Sequence, residues 1–120
     1  MTSLRPGVRA VRRPAAEVAA EARQQGAVVH RVGPAATKAE LLADFARALH
    51  FPDWVGRNWD ALSDALRDLS WLPEGPHVVL WAGASKVDPA AYETALEVLQ
   101  DATATSAETA RPLTVLLTSG

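Results

Sequence analysis

Two hydrophobic rhythms alternate along this chain. Leu41, Leu42, Phe45 and Leu49 recur three and four residues apart, and so do Trp59, Leu62, Leu66 and Leu69, then Tyr92, Ala95, Leu96 and Leu99, the spacing of one buried helix face. Between them stand short apolar or β-branched runs at residues 27–32, 77–82 and 113–118, which read as strands. The boundary signals agree with both rhythms. Thr37 with Glu40 three residues later makes a capping box, in which each side chain satisfies a backbone donor that the helix leaves orphaned. Asn58 is an N-cap, and Asp88 followed by Pro89 is an N-cap with a first-turn proline. Pro52 closes the first of these helices, residues 53–57 form a loop, and Pro73, Gly75 and Pro76 break the chain before the second strand.

Ahead of this alternation, Pro14 opens an alanine-rich stretch over residues 15–25, with Glu17 and Glu21 early, Arg23 late and Gly26 just beyond, the order of a helix. Residues 1–13 mix Pro6, Gly7 and four arginines with the short alternation Val8, Ala10, and read as an arm or a short edge strand. The order strand, two helices, strand, helix, strand makes parallel pairing across helical crossovers the economical α/β solution. At 120 residues the chain fits one domain. We divide it into an N-terminal extension, residues 1–25, and a main body, residues 26–120.

Composition removes several classes of chemistry. There is no cysteine, hence no disulfide framework, zinc-thiolate site or cysteine nucleophile. No apolar run reaches the length of a membrane span, and no secretory signal follows Arg5 and Arg9, so a cytoplasmic protein that binds no membrane is expected. Net charge is only -2, but it is segregated: residues 1–50 hold eight basic and four acidic groups, residues 51–101 three and nine. An acidic second half argues against nucleic-acid phosphates as its ligand and for a cationic partner.

The candidate chemistry lies in residues 54–68. At 100° per residue, Asp60, Ser63, Asp64 and Arg67 share one helix face while Leu62, Leu66 and Leu69 occupy the other. By periodicity alone this is a solvated polar face. Trp54, beside Gly56 and Asn58 and off any amphipathic stripe, changes the balance, because aromatic anchors flanked by fixed charge compose interface hot spots. Trp59 has two readings, core by its spacing to Leu62 and surface by its place at the helix start; Trp71 and Trp81 read as core.

Phe51-Pro52 followed by Trp54, then Gly56-x-Asn58-Trp59-Asp60-Ala61-Leu62-x-Asp64-x-Leu66 and Asp68-Leu69-x-Trp71, resembles the barstar family of intracellular ribonuclease inhibitors, over about residues 26–118. The resemblance implies a three-stranded parallel sheet packed by helices, and a loop-and-helix face that plugs the active site of a secreted guanyl-type ribonuclease such as barnase. It implies that Asp64 stands where the RNA phosphate would sit among the nuclease's cations. Asp60 is the second carboxylate, Trp54 an aromatic contact, Gly56 and Asn58 shape the loop, and Asp101 falls near an acidic partner-binding position. Ser63 and Val55 depart from the family, standing where aromatics are usual, as does the extension before residue 26.

The expected partner surface is therefore Trp54, Gly56, Asn58, Trp59, Asp60, Ser63, Asp64, Arg67 and Asp101, on a monomer or a 1:1 complex with a basic ribonuclease. No catalytic residue, cofactor or metal is expected. Rival readings keep Asp60 and Asp64 as a metal-dependent acid–base pair, or place a different cationic protein on the same face. His30, His50 and His77 read as structural or surface residues, Gly83 to Lys86 as a turn, and Arg5, Arg9, Arg12 and Arg13 as a solvated terminus rather than an RNA-binding platform.

Overall fold

The runs at residues 28–32, 77–82 and 113–118 pair because both sides of each can be covered. In the computed structural model, which describes residues 2–119, they form β2 (Val28–Val32), β3 (His77–Ala82) and β4 (Leu113–Thr118), joined by β1 (Gly7–Ala10). The helices are α1 (Ala15–Gln24), α2 (Lys38–Ala48), α3 (Trp59–Asp68) and α4 (Pro89–Ser106), with a single 3-10 turn at Ala84–Lys86.

The sheet is wholly parallel, in the order β1-β4-β3-β2. This corrects the expected three strands to four. Residues 7–10 carry little strand signal of their own, but β4 offers them an open edge, with Val8 opposite Val115 and Arg9 opposite Leu116. The arm beyond is tied in as well: the Thr114 hydroxyl donates to the Leu4 carbonyl at 2.9 Å, and the Val11 N–H to the Leu117 carbonyl at 2.9 Å.

Strand alternation sends side chains into two cores. Val79, Trp81, Leu113 and Val115 meet Leu41, Phe45, Leu62, Leu66 and Leu99 under α2, α3 and α4. Val78, Leu80 and Leu116 meet Ala15, Val18, Ala19 and Ala22 under α1 on the opposite face. Coverage of both faces explains why β3 is apolar from Val78 to Ala82 and buried throughout. On α4 the buried line runs through Ala91, Ala95, Leu99 and Ala102, leaving Tyr92 and Leu96 half-buried, because the small side chains let the helix settle close to the sheet.

Capping fixes the ends that carry the site. Thr37 accepts from the Glu40 N–H at 3.2 Å, and the Glu40 carboxylate reaches back to the Ala36 N–H at 3.0 Å, one residue before the cap itself. At its other end α2 closes in a Schellman turn: the Phe51 N–H donates to the Ala46 carbonyl at 2.9 Å and the His50 N–H to that of Arg47 at 3.4 Å, with His50 in the left-handed region at φ 54. Helix α3 begins on Asn58, which accepts from the Ala61 N–H at 2.8 Å, and α4 on Asp88, which accepts from the Ala91 N–H at 3.1 Å.

Candidate functional site

Helix α3 separates its side chains by sector. Leu62 and Leu66 enter the core, followed by Leu69, whose left-handed backbone at φ 49 costs roughly 1 kcal/mol and is offset by burial of the leucine. On the other side Asp60, Asp64 and Asp68, four residues apart, are exposed, as is Arg67, with Ser63 half-buried among them. Carboxylates at such spacing destabilise a helix by about 0.2 to 0.5 kcal/mol a pair, and only Asp60, in the first turn, recovers energy from the helix dipole. Among the described residues the ion pairs are Arg13 with Glu17 and Glu21, and Arg47 with Asp44; Asp60, Asp64, Asp68 and Asp101 join none of them. The carboxylates on α3 are thus unneutralised by the protein's own cations.

The loop leading into α3 adds an aromatic surface. Leaving the Schellman turn, the chain bends at Pro52, where the Val55 N–H donates to the Pro52 carbonyl at 3.0 Å. Trp54 at the tip is 75% exposed; among the described residues the other large apolar side chain left open is Val28, at 40%. Gly56 leaves room at the cap: a Cβ there would stand 3.0 Å from the Asn58 side-chain nitrogen, so the residue that caps α3 would have to give by a few tenths of an ångström. Trp54, Val55 and Gly56 on one side, and Ala61, Asp64 and Asp68 on the other, enclose a cavity of about 320 Å³. An aromatic wall facing two carboxylates suits a cationic or flat polar side chain from a partner.

The segment is held at its neck. The Trp71 indole N–H donates to the Leu49 carbonyl at 2.9 Å, Phe51 stands edge-on to Trp71 with ring centroids 5.8 Å apart, and the Arg111 side chain donates to the Leu72 carbonyl at 2.7 Å. A face mounted on so short and braced a segment loses little conformational entropy when a partner binds.

Of the residues singled out in the sequence, Trp54, Gly56 and Asp64 surround one cavity, with Asp60 and Arg67 along the same helix. Asn58 spends its side chain on the cap. Trp59 combines its two readings: the ring is half-buried against the core while Lys38 Nζ lies 5.5 Å from its centroid on the outside. Asp101 is exposed on α4, the helix packed against α3. Four cavity residues were missing from the candidate set: Val55, Ala61, Ala65 and Asp68. Asp68 lies one further i+4 step beyond Asp64, a signal present in the sequence. Val55 was visible only as a departure from the family pattern, because its contribution depends on how the loop folds back, and Ala61 and Ala65 carry no polar or aromatic signal of their own.

No group of three histidine, aspartate or glutamate side chains gathers to hold a metal ion among the described residues, and no described helix is long and apolar enough to cross a membrane. Compared with models of known protein families, residues 15–118 match the one described as Barstar (barnase inhibitor), a span that takes in α1 as well as the motif around α3. No curated protein matches the chain.

Proposed function

The chain belongs to the barstar family, and from that membership we propose that it inhibits a guanyl-specific, barnase-like ribonuclease without catalysis of its own. A ribonuclease must hold a phosphodiester among cations, so an anion fixed on a rigid helix competes for the same place and presents no bond to cleave. In this reading Asp64 takes the position of the scissile phosphate and Asp60 adds a second charge. Trp54 and Gly56 shape the adjoining pocket, and Asn58 holds the loop to the helix. Trp59, Ser63, Arg67 and Asp101 border the contact. The partner-binding role extends to Asp68, which shares the cavity with Asp64.

The observation that carries this reading is the row of exposed, unpaired carboxylates on α3 beside an exposed tryptophan. Apart from Asp60 at the helix start, neither feature has an evident part in holding the fold together. The test is RNA cleavage by small basic guanyl-specific ribonucleases with increasing amounts of the purified chain. Inhibition relieved by excess RNA, with an association rate that falls as salt rises, is the expected result. Undiminished cleavage across such nucleases would shift the face to a different cationic protein, the second reading compatible with the same charges.

A further inference from the structure

His30 on β2 and His77 at the start of β3 are 5% and 0% exposed, their rings 21° from parallel with centroids 5.2 Å apart. Their four ring nitrogens lie in one chain of three contacts. Nδ1 of His30 is 3.1 Å from the Ala48 carbonyl oxygen, Nε2 of His30 is 2.9 Å from Nδ1 of His77, and Nε2 of His77 is 2.7 Å from the Pro73 carbonyl oxygen.

Carbonyls only accept, so both outer nitrogens need hydrogens to make both outer bonds. Two neutral imidazoles carry two N–H groups between them. If both point outward, the inner nitrogens face each other lone pair to lone pair. One added proton between them completes all three bonds. A second added proton sets two N–H groups and two positive charges against each other at hydrogen-bond distance, and the contact must open.

The two carbonyls are not arbitrary ends. Ala48 is the last residue of α2 and Pro73 follows the exit from α3, so they bracket residues 49–72, the segment that carries Trp54, Asp60 and Asp64. We infer that His30 and His77 form a proton-sharing clamp that fastens both ends of this segment to the sheet, accepts one proton between the two rings, and releases when a second is forced on it.

The surroundings set the sense of the response. The Ala48 carbonyl lies at the negative end of the α2 dipole, which favours a proton. Burial opposes it most strongly and holds His30 down to about 4, with His77 and His50 adding positive repulsion. Arg31 on β2, Arg47 on α2 and His50 after it line a cavity of about 470 Å³ that also reaches His30 and Pro73 and gives water a route to the pair. Arg111, ahead of β4, donates to the Leu72 carbonyl; Asp44 is bound to Arg47, and Glu74 is exposed beside Pro73. The neighbourhood is cationic. Free histidine titrates near 6.5, so below that pH the opened segment takes up protons that the closed clamp refuses, and each such proton shifts the equilibrium toward opening about tenfold per pH unit.

The test is imidazole ¹⁵N NMR of the full-length, ¹⁵N-histidine-labelled chain from pH 8 to pH 4, paired with amide exchange at pH 7 and pH 5. The clamp predicts that His30 and His77 titrate as one coupled pair, never fully protonated on all four nitrogens while folded. Exchange protection in residues 49–72 should fall about tenfold or more over that interval, with Leu113–Thr118 protected throughout, and the His30→Gln/His77→Gln variant should lose this pH dependence. Independent titration of the two rings, two imidazolium ions in the folded chain, or protection in residues 49–72 that ignores pH would each overturn it. Should the double variant not fold, the ring titration of the unaltered chain decides alone. The regulatory meaning of the clamp rests on the proposed inhibitory face; because no nuclease is present, a negative result here leaves that face standing, and a failure of inhibition leaves the clamp standing.

Discussion

Trp54 keeps three quarters of its surface in water, next to a cavity it helps to wall. In the proposed reading a tryptophan so placed serves binding and not folding. Replacing it by alanine should weaken association with the target nuclease by about 2 kcal/mol or more, roughly thirtyfold, measured by titration calorimetry. The melting temperature should move little, since exposed substitutions of this kind stay within about 0.5 kcal/mol. At this scale the sequence was informative where a residue's role follows from its own helix. Asp60, Asp64 and Leu62 fall on the sides that a 100° step assigns them. It was uninformative where partners are remote: His30 and His77 are 47 residues apart and meet through the register that sets Val28 opposite His77. Trp59 was legible only as two alternatives, because Lys38, which covers its outer face, belongs to another helix.

Helix α3 depends on Asn58 at its start, and the same side chain meets the space that Gly56 leaves open. Asn58→Ala should therefore lower stability by about 1 kcal/mol, within a usual range of about 0.5 to 2, measured by urea unfolding. It should also weaken inhibition, because the loop loses its fixed approach to Asp64. Caps and stops were the most legible features at this scale, since each acts through the two or three residues beside it: Thr37, Asn58, Asp88 and the break at Pro52 all operate as their local chemistry requires. The first strand was the least legible. Pro6, Gly7 and the neighbouring arginines hide its pattern, and it exists because β4 has an edge to fill. The α4 stripe was legible in period and slightly rotated in fact, because alanines at 91, 95 and 102 pack closer than the half-buried Tyr92 and Leu96.

Across the whole molecule, charge and sheet order work separately. The first half of the chain neutralises some of its own charge, with Arg13 bound to Glu17 and Glu21 and Thr2 donating to Glu21 at 2.9 Å, while the carboxylates of α3 are left open. These pairings also give stability a defined pH dependence. Arg13, followed by the Thr2 N–H, holds Glu21 at about 2, below its ordinary 4.5, so its contribution is present above about 4.5 and is lost as pH falls toward 2. Burial of His30 acts earlier: its folded value near 4 lies below 6.5, so its contribution is complete above 6.5 and is lost as pH falls through that window to 4. Urea midpoints across pH 8 to 2 should accordingly decline in two stages, and the first stage should vanish in His30→Gln. The central claim, that ionised carboxylates on α3 occupy a cationic cleft in another protein, is reached most directly by comparing the unaltered chain with Asp64→Asn as inhibitors of a guanyl-specific ribonuclease at low salt. Asparagine keeps the shape and removes the charge. The account predicts inhibition weaker by about 2 to 5 kcal/mol, the general figure for truncating one member of a desolvated charge pair, for which the type complex of this family is itself the reference case; folding should be unchanged. Equal inhibition by the two proteins would contradict it.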